Sequence, residues 1–248
     1  EPMPQRGEQL LRSRRTKLDR LVGQGIDPYP PRFRRTHTTA EAVAAFADAE
    51  ATASADDVRV AVAGRMTRFR GMGKASFADV EDAQGRLQLF VRKDAVGDGY
   101  ALLDELDLGD FVGAHGTMMR TKAGEVSVAV ERIVLLAKAM RPPPEKYHGL
   151  RDTEQRYRQR YLDLMANREV HEVMRARSHI ISAIRRFFDG RGYLEVETPV
   201  LVPVPAGAMA EPFVTRHLAL DRTLYLRIAT ELYLKRLIVG GMDRVYEI

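Results

Sequence analysis

Hydrophobic positions fall into two periods along the chain. Over residues 8–24, Leu10, Leu11, Leu18, Leu21 and Val22 recur at helical spacing while Arg12, Arg14, Arg15, Lys17 and Arg20 occupy the other face, which predicts an amphipathic helix. Gly25 and the run Asp27-Pro28-Tyr29-Pro30-Pro31 end it. The basic face reads equally as a phosphate-contacting surface and as a solubilising one. A second helix is predicted over residues 39–50, starting at the Thr38-Thr39 cap, with an Ala/Ser/Asp-rich stretch after it.

The period then switches to two. Val58, Val60 and Val62 alternate; residues 76–80 and 87–91 flank a turn at Asp82-Ala83-Gln84-Gly85; residues 111–119 and 126–130 flank another at Lys122-Ala123-Gly124. Residues 100–108 have helical spacing. Three strands, a helix and two strands is the order of an OB barrel. Arg141-Pro142-Pro143-Pro144 marks a boundary, after which helical texture returns. A short Arg/Tyr-rich helix is predicted over residues 152–165. A longer one over 169–190 carries Val173, Ala176, Ile180, Ile184 and Phe187 on one stripe, widened by Met174, Ile181 and Phe188. So broad an apolar face calls for a large covering surface. The final Arg-Val-Tyr-Glu-Ile, residues 244–248, reads as a strand whose backbone groups need a partner that a terminus at Ile248 does not supply.

Alternation assigns the barrel's faces. In the second strand Ser76, Ala78 and Val80 point inward and Phe77, Asp79 and Glu81 outward, placing Phe77 among charges. In the third, Leu87, Leu89 and Val91 point inward and Arg86, Gln88, Phe90 and Arg92 outward. Pairing through the Asp82 turn sets Asp79 opposite Gln88, so Phe77 and Gln88 are diagonal neighbours. An aromatic ring beside an amide offers a single-stranded base a stacking platform and a partner for its edge. The alternative is that Phe77 and Phe90 pack under an interdomain helix or a terminal extension. Arg70 precedes the second strand, and Glu125 lies at the tip between strands four and five.

Composition narrows the class. With 248 residues, 45% hydrophobic and 29% charged, two globular domains are expected. No apolar run spans a bilayer and no basic start precedes an apolar core, so a cytoplasmic protein without membrane contact is expected. The absence of cysteine removes disulfides and thiolate sites, and the six histidines show no ligand pair on one helix, so no bound zinc is expected. A net charge of +5 suits a polyanionic partner.

Ala63-Gly64-Arg65-Met66, Gly73-Lys74-Ala75-Ser76-Phe77, Gly85-Arg86-Leu87-Gln88-Leu89, Arg120-Thr121-Lys122-Ala123-Gly124-Glu125, Arg156 through Leu164 and Glu197-Thr198-Pro199 together resemble bacterial class II lysyl-tRNA synthetases. The resemblance implies an α+β fold: a helical extension over residues 1–55, an OB anticodon-binding domain over 56–140, a linker over 141–150, and from 151 to 248 the start of a class II antiparallel-sheet catalytic domain that breaks off inside motif 2. It implies that Phe77 stacks on the central anticodon base of tRNA-Lys, that Gln88 and Arg70 read base edges, and that Glu125 contacts a neighbouring base. It also implies a homodimer built on motif 1, with Ile180, Ile184, Phe187 and Pro199 at the interface. Gly207 and Glu231 correspond to positions that receive the α-amino group of L-lysine. The reaction implied is ATP-dependent lysyl-adenylate formation and transfer to tRNA, with no catalytic residue expected within the chain and the magnesium ligands expected beyond Ile248.

Ala206, Glu211, Thr230, Arg216, Leu218 and Arg222 depart from the family pattern around the amino-acid pocket. A sister synthetase for aspartate or asparagine, a non-catalytic tRNA-binding module and a generic single-strand binder are the alternatives.

Overall fold

A computed structural model describes residues 5–52, 58–144 and 150–248. The Ala/Ser/Asp-rich stretch at 53–57 and the 145–149 part of the expected linker lie outside the described residues. The chain divides into two compact units, Glu1–Ala166 and Asn167–Ile248.

The first unit begins with α1 (Gln5–Gly23) and α2 (Thr39–Ala51). Thr38 caps α2 in a reciprocal box: the Glu41 amide donates to its hydroxyl at 3.2 Å, and its own amide donates to the Glu41 carboxylate at 2.8 Å. Strands β1 (Arg59–Met72), β2 (Ala75–Glu81), β3 (Arg86–Arg92), β4 (Phe111–Arg120) and β5 (Val126–Ala137) close a barrel in the order β1-β2-β3-β5-β4. Inward side chains such as Val62, Met66, Leu87, Leu89, Val112 and Val128 fill it.

β1 continues to Met72, so Arg70 precedes β2 as expected but lies within a strand of its own. Its first half pairs with β4 and its second with β2, and the register shifts between Met66 and Arg68. A strand shared between two neighbours has to bend, and Gly64 lets it: a Cβ there would sit 2.8 Å from the Glu81 carbonyl oxygen. Of the helix expected over residues 100–108, only α4 (Leu102–Glu105) is α-helical; it follows a 3-10 turn (Gly97–Ala101) and a further short helix, α3 (Lys93–Val96), that was not expected. Gly97, at φ +59°, separates α3 from the 3-10 turn, while Leu102, Leu103 and Leu106 reach the core and account for the helical spacing.

The basic face of α1 turns largely toward its own protein. Buried Arg14 donates to the carbonyls of Leu108 (2.9 Å) and Ala139 (2.5 Å); Lys17 pairs with Asp107 at 2.9 Å and Arg20 with Glu105 at 2.9 Å. These three cations therefore also hold α1 to its own unit, a role beyond the two expected. Beneath them Lys138, fully buried, donates to Asp110 at 2.8 Å and Asp107 at 2.6 Å. The short helix expected over 152–165 divides at Gln159 into α5 (Thr153–Arg158) and α6 (Arg160–Ala166), where Arg156 and Arg160 converge on buried Asp163.

The second unit contains α7 (Arg168–Asp189), β6 (Leu194–Glu195), β7 (Leu201–Val202), β8 (Val214–His217), β9 (Arg222–Leu226), α8 (Glu231–Val239) and β10 (Val245–Tyr246). β7, β9 and β8 form an antiparallel sheet in that order. The terminal strand does find a partner, contrary to expectation: β10 pairs in parallel with β6, Val245 against Leu194 and Tyr246 against Glu195. Tyr246 also stacks on Phe188 at 4.8 Å and donates to Asp189 at 3.0 Å; burial and these acids push its hydroxyl up to about 12. Within this unit the stripe of α7 is uncovered: Val173, Ile180, Ile184 and Phe187 are exposed, and only Val170 of the helix is buried.

Candidate nucleic-acid interface and amino-acid site

Cross-strand register assembles the barrel's outer face. Arg70 on β1 pairs with Phe77 on β2, and Phe77 pairs with Phe90 on β3, so one row runs across three strands. The two rings are stacked, with centroids 4.9 Å apart and planes at 25°, and both remain partly exposed. They cover each other; burial under a helix or terminal extension is not what occupies them. The next row is Arg68, Asp79, Gln88 and, on β5, Ser127. The Ser127 hydroxyl donates to the Gln88 side-chain oxygen at 2.9 Å, and the other end of that amide makes no hydrogen bond among the described residues. It is therefore available to a base edge. The Arg70 guanidinium likewise has no ion pair or hydrogen bond among the described residues.

Two features of this face were not legible beforehand. Asp79, read as one of the outer charges, is buried to 6% exposure beneath Arg86 at 3.2 Å and Arg68 at 3.9 Å. Arg86 also reaches the exposed Glu125 carboxylate at 3.7 Å, so it bridges two acids and ties the start of β5 to β3. The outward position of Arg86 was visible in the alternation; its partners were not, since each arrives from a different strand. Arg70, Phe77, Gln88 and Glu125 thus lie on one face of the barrel. A ring platform flanked by an arginine, an amide and a carboxylate can stack a base and hydrogen-bond its edge.

In the second unit, Gly207 lies in the loop between β7 and β8 at φ +102°, and a Cβ there would be 2.6 Å from the Ala229 Cβ. Only glycine lets the loop approach that close. Glu231 begins α8 and ion-pairs with Lys235 one turn on, which holds its carboxyl below the ordinary range. A cavity of about 300 Å3 opens nearby among Val202, Ala206, Arg227, Ala229, Tyr233 and Arg236. Ala206 and Ala229 line it; Gly207 and Glu231 do not. Ile180, Ile184, Phe187 and Pro199 are all exposed.

A closed OB barrel bearing this face, followed by the start of an antiparallel sheet after a long helix, defines a class of protein. Residues 60–136 match the family model for the OB-fold nucleic acid binding domain, and residues 152–248 that for tRNA synthetases class II (D, K and N). The second match gives residues 152–248 the class II tRNA synthetase family's domain. Within that class the chain resembles the lysine–tRNA ligases: it is 52% identical over 241 residues to that of Pelotomaculum thermopropionicum, covering 97% of this chain and 46% of the relative. It is 55% identical to the Enterococcus faecalis lysine–tRNA ligase, covering 95% and 48%, and 51% identical to that of Bacillus subtilis, covering 96% and 48%. The chain spans about half the length of these curated relatives.

Proposed function

We propose that the chain is part of a lysine–tRNA ligase and that its barrel reads the tRNA-Lys anticodon. The observation that carries this reading is the Arg70, Phe77, Phe90 row with Gln88 beside it. The central base stacks on Phe77, Gln88 and Arg70 meet base edges, and Glu125, steadied by Arg86, faces a neighbouring base. The functional division is a helical extension (1–55), the anticodon domain (56–140), a linker (141–150) and the start of the catalytic domain (151–248). α7 forms a homodimer through Ile180, Ile184 and Phe187, with Pro199 at its edge.

The ligase joins L-lysine to ATP as lysyl-adenylate with loss of pyrophosphate, then passes the acyl group to the 3′-terminal adenosine. Gly207 and Glu231 serve the α-ammonium of lysine; the ammonium of Lys235 now paired with Glu231 is the kind of group the substrate would replace there. Among the described residues no three His, Asp or Glu side chains converge on a metal position, so no step is assigned to magnesium on these residues. No helix among the described residues is long and apolar enough to cross a membrane. A cytoplasmic location is part of the proposed ligase reading and rests on the likeness to the bacterial lysine–tRNA ligases.

The test is binding of a hairpin with a uridine anticodon against one with a scrambled loop. Phe77→Ala is expected to weaken the first by about 1–3 kcal/mol and leave the second unchanged. Equal loss for both would indicate generic single-strand binding. Charging assays of the whole gene product with lysine, aspartate and asparagine separate the sister enzymes.

A further inference from the structure

The outer face of the barrel does not end at the aromatic row. One strand step further, the row Met72, Ala75, Arg92 continues in the same orientation, and beside it opens a groove of about 580 Å3 that Lys74, Lys93 and Asp94 also line. Ala75 is two positions from Phe77, about 7 Å along the strand. The groove is built on fixed backbone. Gly73, at φ +68°, turns β1 into β2; the Tyr100 hydroxyl donates to the Gly73 carbonyl at 3.0 Å and meets Ser76 Oγ at 2.9 Å. The Lys93 amide donates to the Lys74 carbonyl at 3.0 Å, which holds these two residues side by side.

The charges are unevenly matched. Arg92 pairs with Asp94 at 3.3 Å, whereas the ammonium groups of Lys74 and Lys93 have no partner among the described residues. Two free cations beside an exposed Met72 suit an anion carried on a part-apolar frame.

We propose that this groove holds the sugar–phosphate of the nucleotide flanking the base stacked on Phe77, with Lys74 and Lys93 on its phosphate. The proposal rests on the anticodon reading above and extends it past the bases. It makes the RNA track continuous from the aromatic row to the hairpin tip.

The test uses this chain and a uridine-anticodon stem-loop in which loop phosphates on either side of the central base are replaced one at a time by neutral methylphosphonate. For K74A/K93A, each lost contact lowers the salt slope by about 0.7, so raising salt from 50 to 200 mM weakens unmodified binding by roughly sevenfold less than in the parent. One methylphosphonate is expected to weaken the parent and to have no further effect in the double variant. An unchanged salt slope, or a methylphosphonate effect as large in the double variant as in the parent, overturns the proposal. Phe77→Ala separates the two readings: if it alone weakens binding, only this groove is refuted, and if it has no effect, the platform and the groove fall together.

Discussion

Thr198 and Glu247 stand 49 positions apart and share two hydrogen bonds, from the Thr198 hydroxyl at 2.7 Å and its amide at 3.1 Å. Arg227 completes the cluster, donating to Glu247 at 2.7 Å and to the Thr198 carbonyl at 2.9 Å. The segment after β6 is thereby fastened to β9 and the chain end. Burial pushes the Glu247 carboxyl up, but the bonds from Thr198 and the charge of Arg227 outweigh it and hold it below the usual range. A depressed folded value means that this contribution is complete above the unfolded value of about 4.3 and is lost as pH falls through the folded one. Thermal melts of Glu247→Gln are therefore expected to lose less stability than the parent on acidification below pH 5 or so. Thr198→Val is expected to cost about 1–3 kcal/mol at neutral pH, read from urea midpoints.

Lys138 offers a sharper stability test. Its ammonium and the Asp110 carboxylate are both fully buried, and Asp110 also accepts the Ala139 and Asp107 amides at 2.7 and 2.8 Å. Lys138→Met leaves that carboxylate without its cation and is expected to cost about 3–5 kcal/mol. Adding Asp110→Asn should recover part of the loss, giving a measurable coupling in a double-mutant cycle by urea denaturation.

Phe90 acts beneath Phe77. Phe90→Ala is expected to weaken hairpin binding by about 0.5–1.5 kcal/mol through loss of the aromatic pair, less than Phe77→Ala. Gln88→Leu should leave affinity for random single strands intact while narrowing the preference for uridine, and also strip buried Ser127 of its 2.9 Å acceptor. Fluorescence titrations with both RNAs distinguish these effects.

The exposed stripe of α7 predicts self-association. Ile180→Glu or Ile184→Glu would bury a carboxylate in a helix interface at a cost of several kcal/mol, so sedimentation is expected to shift from the mass of two chains to that of one. Barrel melting should not move.

Gly207→Ala would force an alanine to φ +102° with its Cβ 2.6 Å from that of Ala229. Strain of about 1–3 kcal/mol is expected to displace the loop. In the complete ligase this should appear as a raised KM for lysine with hairpin binding unchanged.

How much was legible depended on the range of the contacts. The barrel strands and the Thr38 cap follow from nearest-neighbour patterning, as do the opposed faces of Phe77 and Leu87. Gln159 broke a helix that periodicity alone made continuous, and the helix expected over 100–108 shrank to α4 because Leu102 and Leu103 are buried whichever way the chain between them and β3 turns. The roles of Arg14, Lys17 and Arg20 were illegible since their acceptors lie from Glu105 to Arg141. β10 was misjudged for a related reason: its partner is a strand of two residues, too short to leave a periodic trace.

Phe77 lies against Phe90 in the folded barrel. Its rotamer freedom was surrendered when the barrel formed, so a base arriving at the free face meets a side chain with little disorder left to give up. On the proposed anticodon reading, the base that the rim admits is the one that gains from such a preorganised ring. Choice among bases is left to the rim, where Arg70 and the free end of the Gln88 amide are the groups still able to accept or refuse a partner.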